Sequence, residues 1–257
     1  MSQAIGINDV ISTRLAGCAA VLSDLDGCLV SGETVLGAVP ELFERFGNVL
    51  WIVSNNSTDT AISLSARLAG MGLTIAPGRI FLAGEQTLRR IAAEQPGARI
   101  ALYAAPPLQN LARELGLIAD RKHPEVAVLA RDPDFAFRDL RELTAHLHRG
   151  LPIWVTNGDA SHPGPDGTPE PETGALLAAL TAAVPGIVCR QLGKPEPYLL
   201  DLALTAAGVR PDQAIFLGDT EGTDGGAADA SGMPFVLIAR PQPVLRHALQ
   251  SLSQGMA

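Results

Sequence analysis

The stretch AAVLSDLDGCLV, residues 19–30, decides the fold of this chain. Residues 19–23 form a nearly continuous run of apolar and small side chains, which is typical of a strand buried on both faces of a parallel sheet. Asp24 and Asp26 follow where that strand ends, and Gly27 predicts a turn after them. Carboxylates at this spacing can serve one reaction centre, because one can attack or bind a metal while the other handles a proton. A solvated acidic turn has the same pattern, so this stretch alone leaves both interpretations open.

Apolar runs alternate with helical patterns along most of the chain, which predicts βα units, a mainly parallel sheet and the α/β fold class. In the outer parts of the chain we expect further strands at residues 49–54, 80–83, 214–218 and 235–239. The middle repeats the pattern independently, with strands predicted at residues 99–104, 126–130 and 152–156. Apolar spacing predicts helices near residues 61–68, 108–115, 137–147 and 173–184.

This repetition predicts two domains. One is a core made from both ends of the chain, residues 1–83 and 189–257. The other is a smaller α/β domain, residues 84–188, inserted into the core. Within the insert, residues 162–171 are rich in Pro and Gly and predict a loop.

The charge balance and the cysteines limit the partners and the location. Of 257 residues, 19 are basic and 27 are acidic, a formal net charge of −8. Nucleic acid is bound by clustered Lys and Arg, so no nucleic-acid partner is predicted. No apolar run approaches the length of a membrane span, and the first residues lack the apolar segment of a secretory signal. Cys18, Cys28 and Cys189 form no C-x-x-C pair, so we expect reduced thiols in a cytoplasmic protein.

A second polar stretch, WIVSNNST, occupies residues 51–58. Ser54 ends a predicted strand, and Asn55 follows it just before a predicted helix. A hydroxyl and backbone N–H groups in this position can hold the oxygens of a phosphate. Ser and Asn are also ordinary helix N-caps, and for this stretch alone capping is the favoured interpretation.

A third stretch, LGKPEPYLL at residues 192–200, places Lys194 between Gly193 and Pro195. A lysine held by such a rigid turn is suited to neutralise a bound phosphoryl group, although a solvated loop lysine fits equally well.

A fourth stretch, IFLGDTEGTDGG at residues 215–226, places Asp219 directly after a predicted strand and Asp224 five residues later in a Gly-rich turn. Hard oxygen ligands of this kind suit Mg²⁺, which takes one or two carboxylates and keeps water in the rest of its shell.

Taken in order, these four stretches resemble the motifs of the haloacid dehalogenase superfamily of phosphatases, and within it the nitrophenylphosphatase-like, NagD-like branch. The resemblance spans nearly the whole chain and includes the position of the insert between the second and third motifs. VTNGD at residues 155–159 and ETGALLAAL at residues 172–180 are similar to segments of that branch's cap. The resemblance implies a Rossmann-like parallel-sheet core, with the insert acting as an α/β cap over the site.

The resemblance also implies roles for single residues. Asp24 would be the nucleophile and Asp26 the general acid/base. Ser54 and Asn55 would bind the phosphoryl group, and Lys194 would orient and neutralise it.

For the metal, the resemblance implies that Asp24, the backbone carbonyl of Asp26 and Asp219 hold Mg²⁺, with Asp224 assisting directly or through water. Cys28 stands where a small aliphatic residue is commoner in the family, and we interpret it as a core thiol.

The predicted function is Mg²⁺-dependent hydrolysis of a small phosphate monoester, such as a sugar phosphate, phosphoglycolate, a nucleotide or pyridoxal phosphate. One alternative is phosphomutase-type transfer, which is less favoured because those enzymes usually carry a helical cap near the first motif. The other is a catalytically idle phosphate-ligand sensor, which only turnover excludes. The natural substrate and the formation of a homo-oligomer stay open.

Specificity is predicted to lie in the cap at Asn157 and Asp159. Both follow the predicted strand at residues 152–156, and loops at strand ends are where ligands are met. The core motifs meet only the phosphoryl group, so discrimination between substrates must come from elsewhere. A turn-forming role fits the same two residues. His162, slightly later, is expected to be a solvated loop residue. If Asn157 and Asp159 do not set specificity, Glu172 and His162 are the next candidates.

Overall fold

The computed structural model describes residues 4–163 and 168–239, so the predicted core segment 240–257 lies outside the described residues. Its strands are β1 (Ala20–Ser23), β2 (Val30–Ser31), β3 (Thr34–Val35), β4 (Leu50–Ser54), β5 (Ile80–Leu82), β6 (Arg99–Tyr103), β7 (Ile118–Ala119), β8 (Val126–Leu129), β9 (Ile153–Val155), β10 (Ser161–Pro163), β11 (Pro169–Pro171), β12 (Cys189–Gln191), β13 (Ala214–Gly218) and β14 (Phe235–Leu237). Its helices are α1 (Ile7–Thr13), α2 (Val39–Phe46), α3 (Ala61–Gly70), α4 (Ala83–Glu94), α5 (Pro106–Glu114), α6 (Phe137–His148), α7 (Thr173–Ala183), α8 (Tyr198–Ala207) and α9 (Gly226–Ser231). Within the described ranges, no helix combines the length and the apolar character needed to cross a bilayer.

The first sheet has the strand order β14–β13–β1–β4–β5, and all its pairs are parallel. β1 lies in the middle, where Val21 is in register with Leu50 of β4 and with Ile215 of β13. The chain leaves β1 towards β4 on one side and returns to β13 on the other. The carboxyl end of β1 is therefore a switch point, which is where open α/β sheets bind ligands.

Alternate residues of β1 pack on opposite faces of this sheet. Val21 belongs to a buried cluster with Leu42 of α2 and Leu64 of α3. Leu22 belongs to a second cluster, which includes Leu200 of α8. A strand covered by helices on both faces needs apolar side chains at every position, which explains the uninterrupted run in the sequence.

The second sheet has the order β12–β9–β8–β6–β7 and is also parallel throughout. Leu88 of α4 and Leu108 of α5 pack into one buried cluster of this sheet, whereas Leu143 of α6 and Leu180 of α7 pack into the other. The predicted fold class is confirmed: an α/β protein with a Rossmann-like parallel-sheet core and an inserted smaller α/β cap domain.

The domain boundaries at residues 84 and 188 stay a prediction, but sheet membership refines the second one. β12, residues 189–191, pairs with β9 in the second sheet, although the sequence-based division assigns it to the core. If the domains are divided by their sheets, the later boundary falls after Gln191.

The prediction of a loop at residues 162–171 is partly wrong, because β10 and β11 form an antiparallel pair in which His162 is in register with Glu170. Proline lacks the N–H that a ladder needs and is confined to sheet edges. A two-stranded ribbon consists only of edge strands, so it accepts the prolines that made the sequence resemble a loop.

Candidate active site

The carboxyl ends of β1 and β13 bring together four buried or half-buried charged groups, Asp24, Lys194, Asp219 and Asp224, which we call the floor cluster. Asp24 directly follows β1, and its N–H donates to the carbonyl of Leu217 in β13 at 2.8 Å. Nζ of Lys194 lies 2.7 Å from Oδ1 of Asp24 and 2.6 Å from Oδ1 of Asp224. Lys194 is only 2% exposed, so these are short, charge-assisted bonds in a site with little water.

Burial and like charges set the protonation of the floor cluster. Burial would lower the pKa of Lys194, but the carboxylates of Asp224 and Asp24 outweigh it and hold that pKa above its usual value. Burial raises the pKa of Asp24 well above its usual value, Lys194 opposes this rise, and Asp224 and Asp219 add to it. The floor cluster contains three carboxyl groups and one ammonium group, and that ammonium group pairs with Asp24 and Asp224. When ionised, the carboxyl groups outnumber it, which suits a divalent cation.

Asp224 is placed by a π-helical turn, Glu221–Gly225, a rare geometry that is frequent at functional sites. Its Oδ2 accepts hydrogen bonds from the N–H groups of Asp219 and Thr220, both at 3.0 Å. Its Oδ1 is paired with Lys194. Both oxygens are thus engaged by protein donors, and the ligation of a metal by Asp224 stays a prediction.

The donor set around Asp24 fits Mg²⁺. One carboxyl oxygen each from Asp24 and Asp219, together with Sγ of Cys28, lie within 4.8 Å of one another. Mg²⁺ is held by one or two carboxylates and completes its shell with water. Burial raises the pKa of the Cys28 thiol well above its usual value, and a protonated thiol is a poor ligand for a hard cation. The two carboxylates would therefore hold the ion. The contribution of the Asp26 carbonyl stays a prediction.

Asp26 lines the same cavity from the turn after β1 and is half-buried. Burial raises the pKa of its carboxyl group, although Arg67 and His162 partly oppose the rise. A carboxyl group with a raised pKa can carry a proton closer to neutral pH, which is the property that a general acid needs.

The structure separates the two interpretations of Ser54 and Asn55. Helix α3 is capped by Thr60, whose side chain accepts a hydrogen bond from the N–H of Ser63 at 3.2 Å. Helix capping therefore does not explain Ser54, which ends β4 and is buried at the cavity. Its Oγ accepts a hydrogen bond from the N–H of Asn56 at 3.1 Å, which leaves its own proton to donate.

Asn55 contacts the loop that carries Lys194. Its Oδ1 accepts a hydrogen bond from the N–H of Lys194 at 2.7 Å, and its Nδ2 donates to the Lys194 carbonyl at 3.0 Å. The same Nδ2 donates to Oδ2 of Asp159 at 2.8 Å. The side-chain amide of Asn55 is thus occupied by protein partners, and the prediction that it binds phosphate remains untested.

A cavity of about 380 Å³ lies between the two sheets and is lined by all nine predicted site residues. These are Asp24, Asp26, Ser54, Asn55, Asn157, Asp159, Lys194, Asp219 and Asp224. The cap adds three residues that we call the roof cluster: Arg131, His162 and Glu172. Oε1 of Glu172 lies 2.8 Å from Nδ1 of His162 and 3.4 Å from Nε of Arg131.

The family model described as haloacid dehalogenase-like hydrolase matches residues 18–232. The chain belongs to the haloacid dehalogenase-like hydrolase family. Among its relatives in this family, human chronophin is 30% identical over 267 residues, covering 91% of this chain and 86% of chronophin. Dihydroxyacetone phosphatase of Corynebacterium glutamicum is 29% identical over 220 residues, covering 84% of this chain and 79% of that protein.

The fold is shared with solved structures of other proteins. The crystal structure of 4-nitrophenylphosphatase from Thermotoga maritima matches with a TM-score of 0.82 at 23% identity, covering 93% of this chain and 92% of that one. The predicted nitrophenylphosphatase-like, NagD-like branch and the prediction of a phosphatase enzyme are confirmed.

Of the roof cluster, sequence reasoning missed Arg131 and named Glu172 and His162 only as second candidates for specificity. Arg131 lies two residues after β8, and Glu172 directly precedes α7, so the strand-end rule that singled out Asp24 would also have found Arg131. The expectation that His162 lies in a solvated loop is partly wrong, because the residue is in β10, is half-buried and lines the cavity, although its side chain keeps some exposure to water.

Proposed function

We propose that this chain is a Mg²⁺-dependent phosphatase that hydrolyses a small phosphate monoester through an aspartyl-phosphate on Asp24. The observation that carries the proposal is the position of Lys194, whose Nζ bridges Asp24 and Asp224 at 2.7 and 2.6 Å on the wall of a cavity covered by the cap. A lysine buried there has no role on the surface, and its charge faces the place where an anionic substrate would meet an anionic nucleophile.

In the first half-reaction, a carboxylate oxygen of Asp24 attacks phosphorus, and the bond from phosphorus to the ester oxygen breaks. Asp26 donates its proton to the leaving oxygen, so the alcohol departs neutral. Lys194 and the hydroxyl of Ser54 hold the phosphoryl oxygens and offset their charge.

In the second half-reaction, Asp26 accepts a proton from a water molecule that attacks the phosphorus of the aspartyl-phosphate. The bond between phosphorus and the Asp24 oxygen breaks, inorganic phosphate leaves, and Asp24 is again a free carboxylate. Each carboxyl group thus returns to its starting protonation state after one turnover.

Mg²⁺ is the cofactor that the donor set favours, with Asp24 and Asp219 as its carboxylate ligands and the Asp26 carbonyl as a further ligand. When bound, it supplies positive charge that lowers the repulsion between the nucleophile and the phosphate. The support for this assignment is the ratio of three carboxylates to one ammonium group in the floor cluster.

The leaving group that suits the cavity is small and hydroxylated. Among the described residues, the cavity lining contains no Phe, Tyr or Trp and no aliphatic side chain. A pyridoxal ring or a nucleobase would meet no apolar side chain there and could stack only on His162 or an arginine, whereas hydroxyl groups would meet many hydrogen-bonding partners. The name of the relative dihydroxyacetone phosphatase points in the same direction.

A panel of esters with Mg²⁺ tests the proposal. We expect dihydroxyacetone phosphate and glycerol 3-phosphate to give higher kcat/KM than pyridoxal phosphate, phosphoglycolate or a nucleoside monophosphate. A preference for an aromatic leaving group would contradict the proposed substrate class. Binding of phosphate without turnover of any ester would instead favour the sensor.

A cytoplasmic location is part of the proposal and is supported by three cysteines without disulfides, Cys18, Cys28 and Cys189. Cell fractionation with an antibody against the native protein would test it. Size-exclusion chromatography with light scattering would show whether the protein forms a homo-oligomer.

A further inference from the structure

The carboxamide of Asn55 joins the core to the cap. On the core side it makes a two-way contact with the main chain of Lys194, accepting from the N–H at 2.7 Å and donating to the carbonyl at 3.0 Å. On the cap side its Nδ2 donates to Oδ2 of Asp159 at 2.8 Å. A carboxamide has only two N–H hydrogens. One is committed to the lysine and the other to the cap.

On the cap side, further hydrogen bonds link Asp159 to the second sheet. Oδ2 of Asp159 also accepts a hydrogen bond from Nδ2 of Asn157 at 3.1 Å, and Oδ1 of Asn157 accepts one from Oγ1 of Thr156 at 2.9 Å. Thr156 directly follows β9, and both Thr156 and Asn157 are buried. A continuous chain of hydrogen bonds therefore runs from the end of β9 to the main chain of Lys194.

A second contact brings the lysine loop against the same cap segment. The N–H of Gly193 donates to the carbonyl of Thr156 at 3.1 Å. A Cβ at Gly193 would lie 2.5 Å from that carbonyl oxygen and 2.7 Å from Oδ1 of Asn55, so only glycine fits. The cap segment at Thr156 and the loop at Gly193 are therefore in close contact. A displacement of the cap segment would displace the loop that carries Lys194.

We propose that Asn55 and Asp159 are positioning residues that couple the seating of the cap to the placement of Lys194 Nζ. The inference rests on the proposed function, in which that ammonium group neutralises the phosphoryl group. The carboxylate of Asp159 offers only acceptors, so it fixes the orientation of the Asn55 carboxamide, with Nδ2 towards Asp159. In the reversed orientation, Oδ1 of Asn55 would face both the Lys194 carbonyl and the Asp159 carboxylate. Asp159 thus acts on catalysis through Lys194, which differs from the specificity role predicted from the sequence.

Two substitutions test this role. Asp159→Ala removes the acceptor, and Asn55→Asp replaces the donor with an acceptor without changing the volume of the side chain. We expect each to lower kcat by about 10²-fold, the typical cost of a small misplacement of a reacting group. KM should change little, and the loss should be the same for p-nitrophenyl phosphate and glycerol 3-phosphate, because Lys194 meets only the phosphoryl group that both share.

Two further variants serve as matched controls. Asp159→Asn retains an oxygen that can accept both hydrogen bonds, so it should restore most of kcat. Asp120 is a cap carboxylate that accepts from the N–H groups of Lys122 and His123 at 2.8 and 3.0 Å and does not line the cavity. Asp120→Ala should therefore lower the thermal midpoint of unfolding while kcat stays unchanged. In a double-mutant cycle, Asn55→Ala/Asp159→Ala should lose little more kcat than Asn55→Ala alone or Asp159→Ala alone, since all three variants break the same hydrogen bond between Asn55 and Asp159.

The outcomes separate cleanly. A changed ranking of the two substrates in Asp159→Ala would overturn the proposal in favour of a specificity role. Folded variants with wild-type kcat would also overturn it, as would a failure of both Asp159→Ala and Asn55→Asp to fold, which would assign the contact to stability. If the wild-type protein turns over no phosphate ester at all, it is the proposed function that fails.

Discussion

The floor cluster and the roof cluster face each other across one cavity, yet their charges are held in different ways. In the floor cluster, Lys194 is 2% exposed and makes two ion pairs of 2.6–2.7 Å. In the roof cluster, the side chain of Arg131 is 28% exposed and lies 3.4 Å from Glu172, and that of His162 is 32% exposed. The ammonium group of the floor cluster is shielded from water by two carboxylates, whereas Arg131 and His162 of the roof cluster are partly exposed around a Glu172 side chain that is 14% exposed.

This difference assigns the two clusters different tasks. A buried charge that loses its partner is costly, so the floor cluster has few alternative arrangements and suits a reaction step that is the same for every substrate. Partly exposed ion pairs contribute little stability and are easily exchanged for a ligand. Substitutions in the floor cluster should therefore affect all substrates, and those in the roof cluster should affect the choice among them.

The largest expected effect follows from Asp24→Asn. An amide cannot attack phosphorus, so we expect kcat to fall about 10⁴-fold or more for every ester. The thermal midpoint should stay near that of the wild type, because an amide oxygen can still accept from Lys194 and the ion pair with Asp224 remains. Asp201→Asn, an exposed position on α8, is the matched control and should retain wild-type kcat. Comparable losses in the two variants would contradict the account.

Removal of the metal should cause the second-largest loss of activity. We expect excess chelator to abolish turnover of p-nitrophenyl phosphate and added Mg²⁺ to restore it, because the carboxylates of the floor cluster repel one another and the substrate without a cation. Full turnover after removal of the metal has been verified by elemental analysis would exclude the metal-dependent mechanism.

Asp26→Asn should lower kcat by about 10²–10⁴-fold for glycerol 3-phosphate, the usual range for loss of a general acid or base. With p-nitrophenyl phosphate, aspartyl-phosphate formation should be affected much less, because p-nitrophenolate leaves without needing a proton. A burst of p-nitrophenolate followed by slow turnover, measured by stopped flow, would locate the remaining defect in the second half-reaction. Equal loss in the first half-reaction for both esters would argue against the acid role of Asp26.

The smallest effect is expected in the roof cluster. Glu172→Gln removes the negative charge that faces Arg131, so an ester with a carboxylate in its leaving group, such as 3-phosphoglycerate, should gain about 10-fold in kcat/KM relative to glycerol 3-phosphate. Turnover of p-nitrophenyl phosphate should stay close to the wild-type value. Glu114→Gln, on the exposed end of α5, is the control. An unchanged ranking in Glu172→Gln would remove the roof cluster from the account of specificity.

The longer parallel strands could be predicted from the sequence because each is a short apolar run that needs no knowledge of distant partners. The parallel strands β7 and β12 were not predicted, because β7 has only two residues and β12, Cys189–Gln191, is largely polar. β13, predicted at residues 214–218, spans Ala214–Gly218. β10 and β11 could not be predicted, because their prolines carry the composition of a loop and only their mutual pairing makes them strands.

Because ligands bind at strand ends, the sequence could predict that the candidate site residues meet in one cavity. It could not predict which of their side chains contact one another. Asn55 and Asp159 are 104 positions apart, and nothing local to either residue indicates that their side chains are hydrogen-bonded. Ser54 does not cap α3, because Thr60 does, and this cap can be identified only once α3 is seen to begin at Ala61. Phosphate binding by Ser54 stays a prediction.

The central claim is that Asp24 becomes phosphorylated during turnover, and mass spectrometry of acid-quenched enzyme tests it most directly. Wild-type protein mixed with Mg²⁺ and p-nitrophenyl phosphate, stopped within one turnover and digested at low pH, should carry one phosphate on the peptide that contains Asp24. The same peptide from Asp24→Asn should remain unmodified. Phosphate found reproducibly on Ser54 or His162, or turnover without any covalent phosphate, would contradict the account.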